Sequence, residues 1–101
     1  MKRVEVILTQ ALEEDFLEHY RKACNEMNIA CKFTKYGEVY GQGNTTPKLG
    51  DAVWPQSNVM FTIFCEENLI PRIADIMKLL HVEYPDEGAA SFVSGDASVL
   101  V

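Results

Sequence analysis

The side chains able to do chemistry in this chain are few, and most fail the test of spacing. Cys24, Cys31 and Cys65 are an odd number of thiols without an export signal, which fits reduced cysteines in the cytosol. Free cysteine behaves above all as a small buried hydrophobe. His19 and His81 each fall inside a helical pattern, and neither has a nucleophile at a spacing that makes an acid–base pair. Acyl or phosphoryl transfer therefore has no apparatus, and a binding or sensing protein, not an enzyme, is expected. Two stretches carry special backbone chemistry without an evident folding need. They are Gly41-Gln42-Gly43, opening a long connection, and Asp86-Glu87-Gly88 in a second turn. Glycines there can take φ > 0 and let backbone N–H groups approach an anion or a nucleobase edge. The connection adds the hydroxyls of Thr45 and Thr46 and one ammonium, Lys48. Its second half holds the chain's one tryptophan, Trp54, before Pro55; a Trp so placed suits an oligomer anchor as well as a ligand wall.

The elements that must position these residues follow from periodicity. Val4, Val6 and Leu8 alternate along a first strand. Leu12, Phe16, Tyr20, Ala23, Cys24 and Met27 line one face of a helix over Ala11–Asn28, with Glu13, Glu14 and Asp15 in its favourable first turn. A β-prone run covers Cys31–Tyr40, broken at Gly37, and Asn58–Cys65 is the clearest strand, apolar on both faces. Leu69, Ile73, Ile76, Met77 and Leu80 make a second helix starting near Asn68, because Pro71 fits only in a first turn. After the Tyr84–Gly88 turn comes a short strand over Ala90–Ser94, with Ala97–Val101 as a further candidate.

The reading is one α+β domain over residues 1–101, with an antiparallel sheet in the ferredoxin-like order βαββαβ. A single helical layer covers one face of such a sheet, so the other face is expected to meet another subunit. Between the middle strands lie about seventeen residues, Gly41–Ser57, where loops beyond ~12–15 residues are usually functional or disordered. Composition sets further limits. Fifteen acids against nine Lys and Arg give a net charge of −6, which argues against nucleic acid, and no apolar stretch is long enough to be membrane-inserted. A heavy-metal chaperone of this fold needs Cys-x-x-Cys after the first strand, where Thr9-Gln10-Ala11-Leu12 stands instead. An RNA-recognition sheet needs paired aromatics, but Phe61 and Phe64 point to opposite faces.

Together, the βαββαβ order, the loop opening Glu38-Val39-Tyr40-Gly41-Gln42-Gly43 and the step Trp54-Pro55-x-x-Asn58 into strand three resemble the PII-type signalling proteins, above all their divergent PII-like members. The resemblance implies a trimeric PII-like assembly, a homotrimer, with a small-molecule effector in the clefts between subunits. It also implies that the connection between strands 2 and 3 is the T-loop, contacting a regulated partner such as a transporter. On that basis the effector-binding candidates are Tyr40, Gly41, Gln42, Gly43 and Lys48, with Asp86, Glu87, Gly88 and Ala89 as the B-loop. The partner-contacting candidates are Asn44, Thr45, Thr46, Pro47 and Trp54. The chain departs from the family in three ways. Ala89 replaces the basic residue after the B-loop glycine, Asp96–Val101 lacks the C-terminal arginines, and the loop lacks the modifiable tyrosine. With Lys48 its only cation, the loop neutralises a triphosphate poorly. The expected effector is therefore AMP or ADP, or a metal-bridged ligand.

A second resemblance is to the CutA family, carried by Ala30-Cys31-Lys32 and Leu80-His81-Val82-Glu83-Tyr84-Pro85. It implies the same trimeric architecture and a divalent metal, with Cys31 and His81 as ligands. A ligand-free interaction module is the third reading.

Overall fold

Alternation decides the first strand, and the first strand organises the rest. In the computed structural model, which describes residues 1–101, β1 (Lys2–Thr9) buries Val4, Val6 and Leu8 almost completely. It runs through the middle of a four-stranded antiparallel sheet of order β2-β3-β1-β4, between β3 (Asn58–Cys65) and β4 (Ala89–Ser94); β2 (Thr34–Val39) forms the far edge. Register follows the apolar pattern: Val4, Val6 and Leu8 stand opposite Ile63, Phe61 and Val59. Two helices, α1 (Glu13–Glu26) and α2 (Ile70–Glu83), cover that face, each entered through a single 3-10 turn. The expected ferredoxin-like order and one-sided helical layer are both present.

Neither helix has a side-chain N-cap. Acids at Glu13, Glu14 and Asp15 face the positive end of the α1 dipole, and Pro71 sits in the first turn of α2, where its missing N–H costs nothing. α1 ends in a Schellman motif. Asn28 takes φ 56°, its N–H bonds the Asn25 carbonyl at 3.1 Å, and Ile29 N–H bonds the Cys24 carbonyl at 3.0 Å. The core under the helices is aromatic: Phe16 stacks on Phe61 and Tyr20, and Phe33 meets Phe61 edge-on at 5.4 Å.

Two parts of the sheet differ from the sequence reading, and the break expected at Gly37 is present as a bulge. β2 starts at Thr34, not Cys31, because Phe33 turns into the core and Cys31 packs against it before sheet pairing begins. β2 is then bulged at Gly37–Glu38, where Glu38 takes φ 52° and the register slips between Tyr36 and Val39. Residues 97–101 form no strand; Ala97 donates its N–H to the Met1 carbonyl and accepts from the Met1 ammonium, which ties their start to the residue before β1.

The helix-free face of the sheet is uncovered. One cross-strand row reads Tyr36, Met60, Ile7 and Ala90, the next Thr34, Thr62, Glu5 and Phe92, and the third Phe64, Arg3 and Ser94. Tyr36, Phe64 and Phe92 are exposed there, and Arg3 pairs with Glu5 across 2.7 Å.

The core also fixes a pH dependence. Tyr20 is buried and donates to the Lys32 carbonyl at 2.7 Å; burial first, then the Cys24 thiol beside it, pushes its pKa far above the ordinary phenol value. Burial likewise raises the Cys31 and Cys65 thiols. Folded chains hold these protons where unfolded chains release them, so this stability is complete below the unfolded pKa values and is lost as pH rises past them. Urea midpoints should therefore fall above about pH 8.5, where thiols ionise, and more steeply above about pH 10. Tyr20→Phe should cost about 1 kcal/mol at pH 7 and flatten the fall above about pH 10; an unchanged slope would show that Tyr20 does not carry it.

Candidate functional site

The end of β1 draws two distant stretches of chain together. Thr9 is buried; its N–H donates to the Gly88 carbonyl at 2.9 Å and its hydroxyl donates to the same carbonyl at 3.2 Å. The hydroxyl oxygen in turn accepts Gly88 N–H at 3.1 Å. One residue later Gln10 N–H bonds the Ser57 carbonyl at 3.1 Å, and Ser57 Oγ donates to Gln10 Oε1, also at 3.1 Å. The turn after α2 and the exit of the long connection are thus pinned to adjacent residues. Tyr84 donates from its hydroxyl to Asp15 of α1, which holds the turn from the helical side.

The long connection is folded on itself. Gly41 and Lys48 exchange two backbone hydrogen bonds, at 2.7 and 2.8 Å, closing residues 41–48 into a ring. In the second half, Asp51 accepts the N–H groups of Val53 and Trp54 on Oδ1 while its own N–H bonds the Trp54 carbonyl. The Tyr40 ring joins the halves by lying over Gly50, where a built Cβ would collide with the ring. Gly50, at φ +66°, is the glycine that uses the left-handed region, whereas Gly41, Gly43 and Gly88 do not. The expectation of glycine-dependent backbone at those three positions is corrected. At Gly88 the constraint is closeness instead, because Thr45 Oγ1 lies 3.1 Å from where its Cβ would be and would have to give way to a side chain there.

Between the ring and the turn lies a cavity of about 650 Å³. Tyr40–Thr46 and Lys48 form one wall, and Pro85 with Glu87–Ala90 forms the other. The floor is Ile7, Asn58 and Phe92 on the helix-free side of the sheet, and His81 stands at the rim. Of the effector-binding candidates, Tyr40, Gly41, Gln42, Gly43, Lys48, Glu87, Gly88 and Ala89 come together here, within a single chain. Asp86 does not: it is exposed at the apex of the turn, outside the lining. Asn44, Thr45 and Thr46, expected to face a partner, are exposed and also line the cavity, while Trp54 stays outside it, 40% exposed. A depression of about 860 Å³ along α1 is shallow and lined by polar side chains of that one helix, so no separate elements converge on it.

Lys48 differs most from its sequence reading. Expected as the loop's only cation and an effector-binding residue, it is 4% exposed. Its Nζ donates to the Thr46 carbonyl at 2.8 Å, and it joins none of the chain's ion pairs. Cys31 and His81 are not brought together. Cys31 stands by Cys24 and Arg21, whereas the His81 Nε2 lies 2.6 Å from the Ala89 carbonyl. No group of three metal-binding side chains forms anywhere in the chain. Sequence reasoning missed Thr9, Gln10, Ile7 and Phe92 as site-builders, because only the β1–β3 and β1–β4 registers carry them to the cavity.

No protein-family model matches the chain, and no curated protein does. Solved structures match well. CPII, a nitrogen regulatory PII-like protein from Thiomonas intermedia K12, superposes with a TM-score of 0.71 at 18% identity, covering 92% of this chain and 82% of that one; the structure is bound to ADP, AMP and bicarbonate. A second CPII structure, bound to ADP and bicarbonate, gives 0.69 at 18% identity and the same coverage. A protein from Thermus thermophilus, provisionally described as PII-like, gives 0.59 at 19% identity, over 92% of this chain and 83% of that one. The chain has the PII-like fold.

The Thr9 clasp yields a test. Thr9→Val keeps the shape but leaves Gly88 N–H with no partner, a loss of about 1–3 kcal/mol. Hydrogen exchange at Gly88 and Ala89 should accelerate by about tenfold or more, while amides in the middle of β3 change only with global stability; equal acceleration at both places would show that the clasp is not local.

Proposed function

We propose that this chain is a PII-like regulatory protein that senses an adenine nucleotide, AMP or ADP, in the cavity between residues 40–48 and 84–90. The observation that carries the reading is the convergence of the loop base and the second turn on one cavity holding a buried, unpaired ammonium. Tyr40 and Phe92 supply aromatic surface for a base, and backbone N–H groups near Gly43 and Gly88 supply donors. Lys48 is the one lysine or arginine of the lining and Glu87 its one acid, so a mono- or diphosphate fits the charge better than a triphosphate. Both CPII structures hold ADP, and one of them AMP as well, on the same fold. None of the three cysteines lines the cavity, and the His81 Nε2 is engaged by Ala89, so the walls favour sensing over catalysis.

The same reading assigns the helix-free sheet face to a homotrimer. Its Tyr36–Met60–Ile7–Ala90 row is apolar from edge to edge, and a domain of this size gains greatly from burying it. Ile7, Ala90 and Phe92 belong both to that face and to the cavity wall, so a neighbouring subunit would border the ligand. The loop half outside the cavity, where Val53 and Trp54 are exposed, is the surface offered to a regulated protein, for which a transporter is one candidate. A reduced, cytoplasmic setting suits its three free thiols.

Thermal-shift titration tests the ligand. A nucleotide at ~100 times its Kd adds about 2.7 kcal/mol, a rise of roughly 10 °C or more for a domain of this length. ADP and AMP should both produce it; no shift with either at millimolar concentration would refute the nucleotide reading. Sedimentation tests the assembly. The parent should run as three chains and Phe64→Glu, which places a charge on the exposed sheet face, as one; a monomeric parent would end the trimer proposal.

A further inference from the structure

We infer that Lys48 is an anion clamp, holding one phosphate or similarly sized oxyanion of the ligand inside the 41–48 ring; this rests on, and deepens, the nucleotide reading above. A lysine that is 4% exposed is far from its ordinary surroundings, since ammonium groups are rarely buried unless paired. Here the only acceptor is the Thr46 carbonyl at 2.8 Å, two residues back in the same ring, and an ammonium has three hydrogens to give. The five ion pairs of the chain involve Lys2 twice, Arg3, Lys35 and Arg72, never Lys48. The net charge of −6 makes this more pointed, because carboxylates are plentiful and none is placed to meet it.

The ring is built to keep the side chain where it is. The paired backbone bonds between Gly41 and Lys48 fix its Cα across from the loop base, and the side chain turns into the cavity wall. Thr45 and Thr46 bring hydroxyls to the same wall, and Gly88 faces Thr45 from the opposite turn. An anion at Nζ would thus find an ammonium with unused donors, flanking hydroxyls and a glycine turn within one cavity. Since Ala89 and residues 96–101 carry no basic side chain, Lys48 is the one fixed positive charge available to a phosphate here. Glu87 on the facing wall opposes further negative charge, which limits the clamp to a single group.

Calorimetric titration of the full chain with ADP, AMP, adenosine and inorganic phosphate, for the parent, Lys48→Met and Lys48→Arg, separates the possibilities. Lys48→Met keeps length and apolar packing, and thermal melts show whether each variant is folded. The expected result is ADP binding at least about tenfold tighter than adenosine in the parent, the factor one charge-assisted hydrogen bond contributes. That ratio should collapse towards one in Lys48→Met, with adenosine affinity unchanged and partial recovery in Lys48→Arg. If Lys48→Met keeps the parent ratio, the clamp is wrong while the nucleotide site stands. If no adenine compound binds but phosphate does, and Lys48→Met abolishes it, the clamp stands and the nucleotide reading falls; if nothing binds, both fall. A further measurement needs no variant: acylation of Lys48, read by mass spectrometry, should slow with ADP and not with adenosine, and equal protection by both would also overturn the clamp.

Discussion

Three hydrogen bonds between Thr9 and Gly88 hold this molecule's two irregular regions in one place. They extend the β1–β4 ladder by one residue beyond Leu8 and Ala89, and they satisfy a buried hydroxyl as donor and acceptor at once. The adjacent Gln10–Ser57 bonds do the same for the loop exit. β1 therefore acts twice: its middle residues anchor the core through Val4, Val6 and Leu8, and its last residues set where the loop and the turn meet. Because strand position fixes both, a register slip would undo the core and the cavity together.

Periodicity makes the elements legible, and it does so where burial is one-sided. Val4, Val6 and Leu8, the β3 run from Asn58 to Cys65, and the stripes through Phe16 and Ile73 each answer to the same core, so each pattern is strong. It is weaker at β2, an edge strand with little to bury: five of its six residues are exposed, and Gly37 marks the break there without showing that Glu38 takes the left-handed backbone. The same limit explains the tail after Ser94, whose apolar Val99, Leu100 and Val101 pack on nothing within the chain and so form no strand.

At the site, sequence locates the stretches and misses their internal logic. Glycines draw attention to residues 41–43 and 86–88, and both regions do reach the cavity. Among the glycines, however, left-handed backbone is used only at Gly50, and nothing in the sequence places Tyr40 above it. Lys48 reads as the loop's one cation, but its burial is not legible because it depends on a ring closure between Gly41 and itself that no periodic pattern encodes. Asp86 stands inside the second motif by adjacency alone, and the turn directs it outward.

The placement of Lys48 separates the ring's side-chain bond from its backbone bonds. Its ammonium is bonded to a carbonyl of its own loop, and that bond is made through the side chain, so a competing acceptor in the cavity need not break the backbone bridge to Gly41. Exchange of one acceptor for another changes the restraint on residues 44–47 while leaving the ring closed. From there the chain runs through Pro47 and Leu49 to Gly50, where Tyr40 is in close contact, and on to the exposed Val53 and Trp54. The outer half of the loop is thus joined to the ring through the closeness of Tyr40 to Gly50.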